Sequence, residues 1–259
     1  MLHELLARLK QKHRTVAFPG GAPHLPPLVR CHPAVDALKC ECATGCRACA
    51  DACPTGAISV GAAVRFDLGK CLFCPDCAAV CPTGAIRFGD DYRLATRSRD
   101  DLRCEGGTLR LAAALDERGR RLFGRSLSLR QVSAAGCNAC EADCSVLGTV
   151  VYDLGSYGVR FVASPRHADG LLITGPVSRN MLLALRKTYE AVPSPRLVIA
   201  VGACAISGGP FAGHPEVLGG ASEVVPVDLF IPGCPPHPYT ILDGILRLLG
   251  RLEESAVPA

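Results

Sequence analysis

A chain of 259 residues, 49% of them hydrophobic, has room for one large domain or two smaller ones around a buried core. No apolar run approaches the length that crosses a bilayer, and residues 1–18 carry too much charge for a secretory signal, so a cytoplasmic location is expected. The formal charge of +4 is modest beside sixteen cysteines, whose tight C-x2-C spacings in a chain without an export signal favour metal over disulfides.

In chain order, Leu2, Leu5, Leu6 and Leu9 recur at helical spacing, with Arg8, Lys10, Lys12 and Arg14 largely off that stripe. This predicts a short helix docked on the protein or a partner; an anchor on a membrane surface is the competing reading. Pro19 to Pro33 is rich in proline, glycine and apolar residues and predicts an extended arm, expected to lie on a partner surface. Helix and arm together occupy residues 1–35.

Residues 36–90 contain a duplication. Cys49 to Gly61 reads CADACPTGAISVG, and Cys77 to Gly89 reads CAAVCPTGAIRFG. Cys71-x2-Cys74-x2-Cys77-x3-Cys81-Pro82 is the full bacterial iron–sulfur pattern, in which closely spaced thiolates wrap a cubane while loop N–H groups point at sulfur. Zinc loops seldom carry four cysteines at this spacing followed by proline. The upstream copy, Cys46-x2-Cys49-x3-Cys53-Pro54, is irregular. Ala43 stands where its first cysteine belongs, and Cys42 and Cys40 precede it. Cys42 needs one extra loop residue and is preferred over Cys40; a three-iron cluster is the further alternative. Because the fourth cysteine of each motif ligates the other motif's cluster, one set is Cys42, Cys46, Cys49 and Cys81, and the other is Cys71, Cys74, Cys77 and Cys53. This segment resembles the two-cluster 4Fe-4S ferredoxin family, which implies a small α+β domain.

Residues 91–125 carry nine arginines and the turn-like Asp116-Glu-Arg-Gly119, and are read as a connecting segment. Beyond them strands alternate with helices. Strands are expected at Ser126–Val132, Val159–Val162, Gly170–Thr174, Leu197–Val201 and Val224–Ile231, and helices at Arg179–Ala191 and Tyr239–Glu253. Residues 126–259 are therefore expected to form an α/β domain with a parallel sheet.

Cys137-Asn-Ala-Cys140, Cys204 and Cys234 each follow a predicted strand. The carboxyl ends of strands in an open α/β sheet share one rim, so these residues converge on one crevice, where four thiolates would hold a cluster. Isolated buried thiols are the alternative. The C-x2-C pair and the Gly/Pro surroundings of the single cysteines weigh against it.

The segments RQVSAAGCNACE, FVASPRHADGLLITGPVSRNM, VIAVGACAISGGPF and VPVDLFIPGCPPHP resemble the family that comprises the 20 kDa, B-type subunit of complex I and the small subunit of membrane-bound NiFe hydrogenases, formate hydrogenlyase included. The resemblance implies a flavodoxin-like fold and one 4Fe-4S cluster on Cys137, Cys140, Cys204 and Cys234, making three 4Fe-4S clusters in all. It also implies a large catalytic NiFe-hydrogenase-like subunit, integral membrane proton-pump-like subunits, and a formate dehydrogenase or other electron-donor module as partners, with the chain peripheral on the cytoplasmic face of the membrane. Complex I members carry adjacent cysteines at the first ligand pair, whereas the hydrogenase branch has C-x2-C, as here. Ala139 replaces that branch's usual glycine, and Cys144 is an addition without an assigned role. Each oxidised cluster with its four thiolates contributes about −2, which brings the loaded chain to a net charge of about −2 and removes support for nucleic-acid binding. A quinone-reducing complex and a stand-alone ferredoxin-type carrier are the competing functions.

Glu141 matches an acidic position that the family is thought to use in proton movement; the alternative is a carboxylate hydrogen-bonded to loop amides. His167 is read as a turn or cap residue. His237 is either a neighbour of the cluster loop or an exposed helix start. Arg166 and Arg179 are read by default as ion-pairing surface residues, the alternative being that they neutralise cluster charge or bind the large subunit, and Cys31 and Cys104 as free thiols.

Overall fold

The structure, a computed structural model, describes residues 2–12, 14–21, 23–105 and 109–252. The helix expected at the start forms as α1 (Leu2–Gln11), with Leu2, Leu5, Leu6 and Leu9 all exposed. The residues just before the arm, 15–18, lie on this chain, while Pro26, Pro27 and Leu28 within the arm are exposed. Val16 N–H donates to the Val151 carbonyl at 2.8 Å, and Tyr157 Oη donates to the Phe18 carbonyl at 2.6 Å. Phe18 itself is buried in a group of rings with Tyr92 and Tyr239. These contacts join residues more than seventy positions apart, which local composition cannot reveal.

The arm ends in β1 (Pro33–Val35). Then come α2 (Ala48–Asp51), β2 (Ile58–Val60), β3 (Val64–Asp67), α3 (Asp76–Ala79) and β4 (Ile86–Phe88). The sequence repeat is a structural repeat: each copy runs from a four-residue helix through Cys-Pro-Thr-Gly-Ala into a three-residue strand, with Gly56 at φ 59° and Gly84 at φ 62° turning the loop. β4 pairs antiparallel with β1, and β2 with β3. A third strand joins β3 from the arginine-rich stretch expected to be a connector: β5 (Arg103–Glu105), with Phe66 opposite Cys104. Further along, Asp116 does not make a simple turn. It caps α4 (Glu117–Phe123), its carboxylate accepting from Gly119 N–H at 2.7 Å.

The rest is α/β. β6 (Leu127–Ser133), α5 (Ala139–Val146), β7 (Val159–Phe161), β8 (Gly170–Thr174), α6 (Arg179–Ala191), β9 (Leu197–Val201), α7 (Ala203–Ser207), β10 (Leu229–Ile231) and α8 (Pro238–Leu248) follow in order. The five strands are all parallel and run β7-β6-β8-β9-β10 across the sheet. Numbered within the sheet that order is 2-1-3-4-5, the flavodoxin-like winding, whose ligands bind beyond the carboxyl ends at the reversal point. β8 and β9 are buried at every position, as a sheet covered on both faces requires. The strand expected over Val224–Ile231 shortens to Leu229–Ile231: Val225 N–H turns back to the Ala221 carbonyl, and Pro226 has no N–H for a ladder. The last helix stops at Leu248, short of the expected end; Glu253 lies outside the described residues.

The cysteine module sits against the sheet unit through one continuous buried cluster that includes Leu68, Cys71, Phe73, Ala134, Ile206 and Phe230. Ser207 Oγ donates to the Gly69 carbonyl at 2.8 Å, and Thr96 exchanges backbone hydrogen bonds with Phe230 beside the sheet edge.

Candidate functional site

The thiols of the module fall into two groups. Cys53, Cys71, Cys74 and Cys77 line one small pocket together with Pro54 and Leu72, so the crossover of Cys53 to the opposite motif is present in the folded chain. The second group gathers Cys40, Cys42, Cys46, Cys49 and Cys81. Burial raises the Cys49 thiol pKa, and the nearby Cys40 and Cys46 raise it further; burial also raises Cys40, with Cys42 and Cys81 adding to it. Both Cys-Pro loops present backbone N–H groups to sulfur: Ala57 N–H to Cys53 Sγ at 3.2 Å and Ala85 N–H to Cys81 Sγ at 3.3 Å. Thr55 and Thr83 hydroxyls stand 3.9 and 3.7 Å from the same sulfurs. Donors aimed at sulfur stabilise a thiolate and, with it, a bound cluster.

In the irregular copy both candidate thiols stand beside the outer group. Cys42 opens a single 3-10 turn (Cys42–Thr44); its half-buried thiol lies 3.7 Å from the Ala62 carbonyl and also interacts with the Cys40 thiol. Cys40 stands on the side of Cys49 and Cys81, its N–H bonded to the Asp36 carbonyl at 3.0 Å.

The third group forms at the carboxyl rim of the parallel sheet. Cys137 lies in the loop after β6, Cys140 in the first turn of α5, Cys204 in α7 directly after β9, and Cys234 in the loop after β10. Cys204 is pushed up to about 11 by burial and then by Cys234 and Cys137; Cys140 is raised further still, by burial and then by Cys204. Glycine makes this approach possible. A Cβ on Gly202 would stand 2.5 Å from Cys140 Sγ, and one on Gly209 would stand 2.8 Å from Cys204 Sγ. Asn138, between the paired cysteines, takes φ 72°, a left-handed conformation that asparagine tolerates better than most residues, and Ala139 begins α5 immediately after it.

Glu141 is 8% exposed and is held by hydroxyls, not loop amides: Ser133 Oγ donates to its Oε1 at 2.6 Å and Thr174 Oγ1 at 2.7 Å. Neither partner was identifiable from a motif. Their signal is positional, since each is the last residue of its strand, β6 and β8, on the rim that carries the thiols. His237 caps α8: its Nδ1 accepts from Tyr239 N–H at 3.2 Å and its half-buried ring stacks on that tyrosine. His167 is exposed at the end of a short 3-10 turn, and Arg166 is exposed beside it. Arg179 ties the start of α6 to the Pro215 carbonyl at 2.5 Å rather than pairing with an acid. Cys31, Cys104 and Cys144 are buried, and burial drives them to about 12, 11 and 12 respectively.

The donor sets fit iron–sulfur clusters. Among the described residues no three His, Cys, Asp or Glu side chains lie close enough together for a single metal ion. The thiols instead gather in looser groups of four or five, as a cluster larger than a single ion would need. Burial raises Cys71 to about 12 and Cys77 to about 11, so thiols packed this way resist ionising alone; coordinated iron makes the thiolate form the stable one. The three groups are also neighbours in series. Cys234 of the rim feels Cys74, and Cys77 feels Cys49, so the set with Cys53 lies between the other two.

Comparison with known proteins agrees with this division. The family described as NADH ubiquinone oxidoreductase, 20 Kd subunit, matches residues 137–248, and a 4Fe-4S dicluster domain matches residues 39–85. A probable membrane-bound hydrogenase subunit mbhJ of Pyrococcus furiosus is 41% identical over 51% of this chain and 79% of its own. Formate hydrogenlyase subunit 7 of Escherichia coli is 42% identical over 50% of this chain and 51% of its own. An NADH-quinone oxidoreductase subunit of Phocaeicola vulgatus is 40% identical over 56% of this chain and 72% of its own. The chain therefore belongs to the family of the 20 kDa subunit of NADH ubiquinone oxidoreductase, and it carries a 4Fe-4S dicluster domain ahead of the family's own fold.

Proposed function

We propose that this chain is the iron–sulfur electron-transfer subunit of a membrane-associated NiFe hydrogenase complex, passing single electrons between a donor or acceptor module and a nickel–iron site in a large subunit. The observation that carries this reading is the series of three thiol groups in one polypeptide, with Cys137 and Cys234 exposed at the outer end where a partner can cover them. Three 4Fe-4S clusters would be held by Cys137, Cys140, Cys204 and Cys234; by Cys53, Cys71, Cys74 and Cys77; and by Cys46, Cys49, Cys81 and one of Cys40 and Cys42. The nearness of Cys40 to Cys49 and Cys81 supports it as that ligand, and Cys42, preferred on loop length and interacting with the Cys40 thiol, is the alternative. A bound cluster accepts and releases one electron at a potential set by hydrogen bonds to sulfur, burial and local charge, which are the parts this chain supplies. For Glu141 the firm hydroxyl anchoring supports a role in holding the rim together at least as well as proton transfer.

The C-x2-C spacing of Cys137 and Cys140 supports the hydrogenase branch, as does the similarity to the two hydrogenase-complex subunits. A peripheral position, on the cytoplasmic face, fits a chain whose described helices are none of them long and apolar enough to cross a membrane. The second reading, an electron-transfer subunit of a quinone-reducing complex, is favoured by relatives of that type at 38–42% identity. Metal analysis of the intact complex separates the two. Nickel in the co-purifying large subunit, with hydrogen-dependent reduction of the clusters, is the expected result; an active complex free of nickel would overturn the hydrogenase reading.

A further inference from the structure

Between the rim cysteines and the middle thiol group lies an open cavity of about 360 Å³, with Cys234 and Cys74 both on its lining. With clusters on both thiol groups, charge placed in this gap would act on both. The cavity's lining holds one permanent cation, Arg30, along with Asp143 and the half-buried His237. Arg30 comes from the N-terminal arm, a segment with no cysteine motif around it. It is also firmly placed: Nε donates at 2.7 Å to the carbonyl of Phe73, and Phe73 N–H donates to Cys71 Sγ at 3.3 Å. The next residue, Cys31, is fixed by its N–H to the Gly89 carbonyl at 3.0 Å, and β1 follows. On the other side, Phe18 is buried among the tyrosines of the sheet unit. The arm is thus fastened at both ends and carries a guanidinium to the loop that holds two of the middle thiols.

We propose that Arg30 is a positioning residue for electron transfer: from the arm it holds the Cys71–Cys74 loop and supplies positive charge that raises the reduction potential of the cluster on Cys53, Cys71, Cys74 and Cys77. The inference rests on the cluster assignment above. Reduction adds one negative charge to the cluster, and a nearby cation favours the reduced form. Two other charges flank the same loop. Asp76 at the start of α3 opposes the effect beside Cys74, and Lys70 precedes Cys71; both remain in place when Arg30 is changed. Arg30 is exposed overall, so its influence is partly screened and falls as salt rises.

The test is an EPR-monitored redox titration of the middle cluster in the intact complex, comparing wild type with Arg30→Gln and Arg30→Lys. For Arg30→Gln the reduced-to-oxidised ratio at the wild-type midpoint should fall about threefold, equivalent to about 28 mV for a one-electron couple. Arg30→Lys should keep the wild-type midpoint, iron content should be unchanged in both, and raising the ionic strength should narrow the gap between Gln and wild type. An unchanged midpoint in Arg30→Gln would overturn the charge role. So would a Lys variant that behaves like Gln, or loss of the cluster from Arg30→Gln, since either marks the guanidinium as structural only. A wild-type complex with no middle-cluster signal would overturn the ligand assignment together with the inference.

Discussion

In the cysteine module the strands are three or four residues long and the helices four, and Cys49, Cys71 and Cys77 are themselves part of the buried core. At the rim of the parallel sheet the same kind of donor set is mounted on a different foundation. β8 and β9 are buried throughout, and Leu171, Leu172, Ile173, Ile199 and Leu229 are fully covered with no thiol among them. In the module the ligands are close in sequence and the metal completes the core; at the rim they come from three separate strand ends and the core exists without them. A small region whose apolar side chains cannot bury enough surface draws stability from bound metal, whereas a full α/β sheet does not have to.

That contrast predicts its largest effect in iron content and folding. Cys204→Ser should remove the rim cluster alone, taking the complex from about twelve to about eight irons per chain while the far-UV circular dichroism of the sheet unit persists. Cys53→Ser should remove more, since Cys53 belongs to the cluster of the opposite motif and its loss unpins both halves of the module; iron should fall below about eight per chain, and hydrogen exchange should rise across β2, β3 and β5. Equal iron loss in the two variants, with equal retention of structure, would break the comparison. Gly202→Ala belongs with the first case. Its Cβ would press on Cys140 Sγ at 2.5 Å and its φ of 90° disfavours any side chain, so the rim cluster should be lost without any cysteine having been touched.

A smaller effect lies inside the module, at its irregular copy. Cys40→Ser should convert the outer cluster to a three-iron form or abolish it, giving an altered EPR signal of the oxidised protein. With Cys40 as the ligand, Cys42→Ser should leave iron and signal as in wild type. The opposite pattern would restore Cys42 as ligand.

The two regions were also legible to different degrees. In the module the CPTGAI repeat carried the loop, the turn glycines and the crossover, because every interaction that shapes them is local; the exception is the Cys40 and Cys42 pair, where a loop insertion left spacing unable to choose. At the rim the convergence of Cys137, Cys140, Cys204 and Cys234 was readable from strand order alone. Ser133 and Thr174 were not, because their role appears only when β6 and β8 lie side by side with Glu141 beyond them. The expected strand at Val224–Ile231 was too long because its apolar run hid Pro226, and the docking of residues 15–18 depended on contacts such as Thr15 Oγ1 to the Val150 carbonyl at 2.8 Å. Periodicity is a short-range signal, and these are long-range facts.

The N-terminal stretch, like residues 91–125, touches both regions, and the smallest predicted effect tests how it is held. Tyr157→Phe removes the hydroxyl that donates to the Phe18 carbonyl at 2.6 Å while keeping the ring in the apolar cluster around it. A hydrogen bond of this kind contributes about 1 kcal/mol, and a buried carbonyl left without its donor sets the cost at the upper side of that figure. Exchange of the Val16 amide, which is bonded to the Val151 carbonyl on the same stretch, should then quicken by about fivefold, with amides of β9 unchanged. If Val16 exchanges as in wild type, the aromatic contacts of Phe18 hold the arm by themselves and the hydroxyl is dispensable. If β9 amides quicken as well, the arm is not a separate strap but part of the cooperative unit of the sheet, and the division between the two regions would have to be drawn elsewhere.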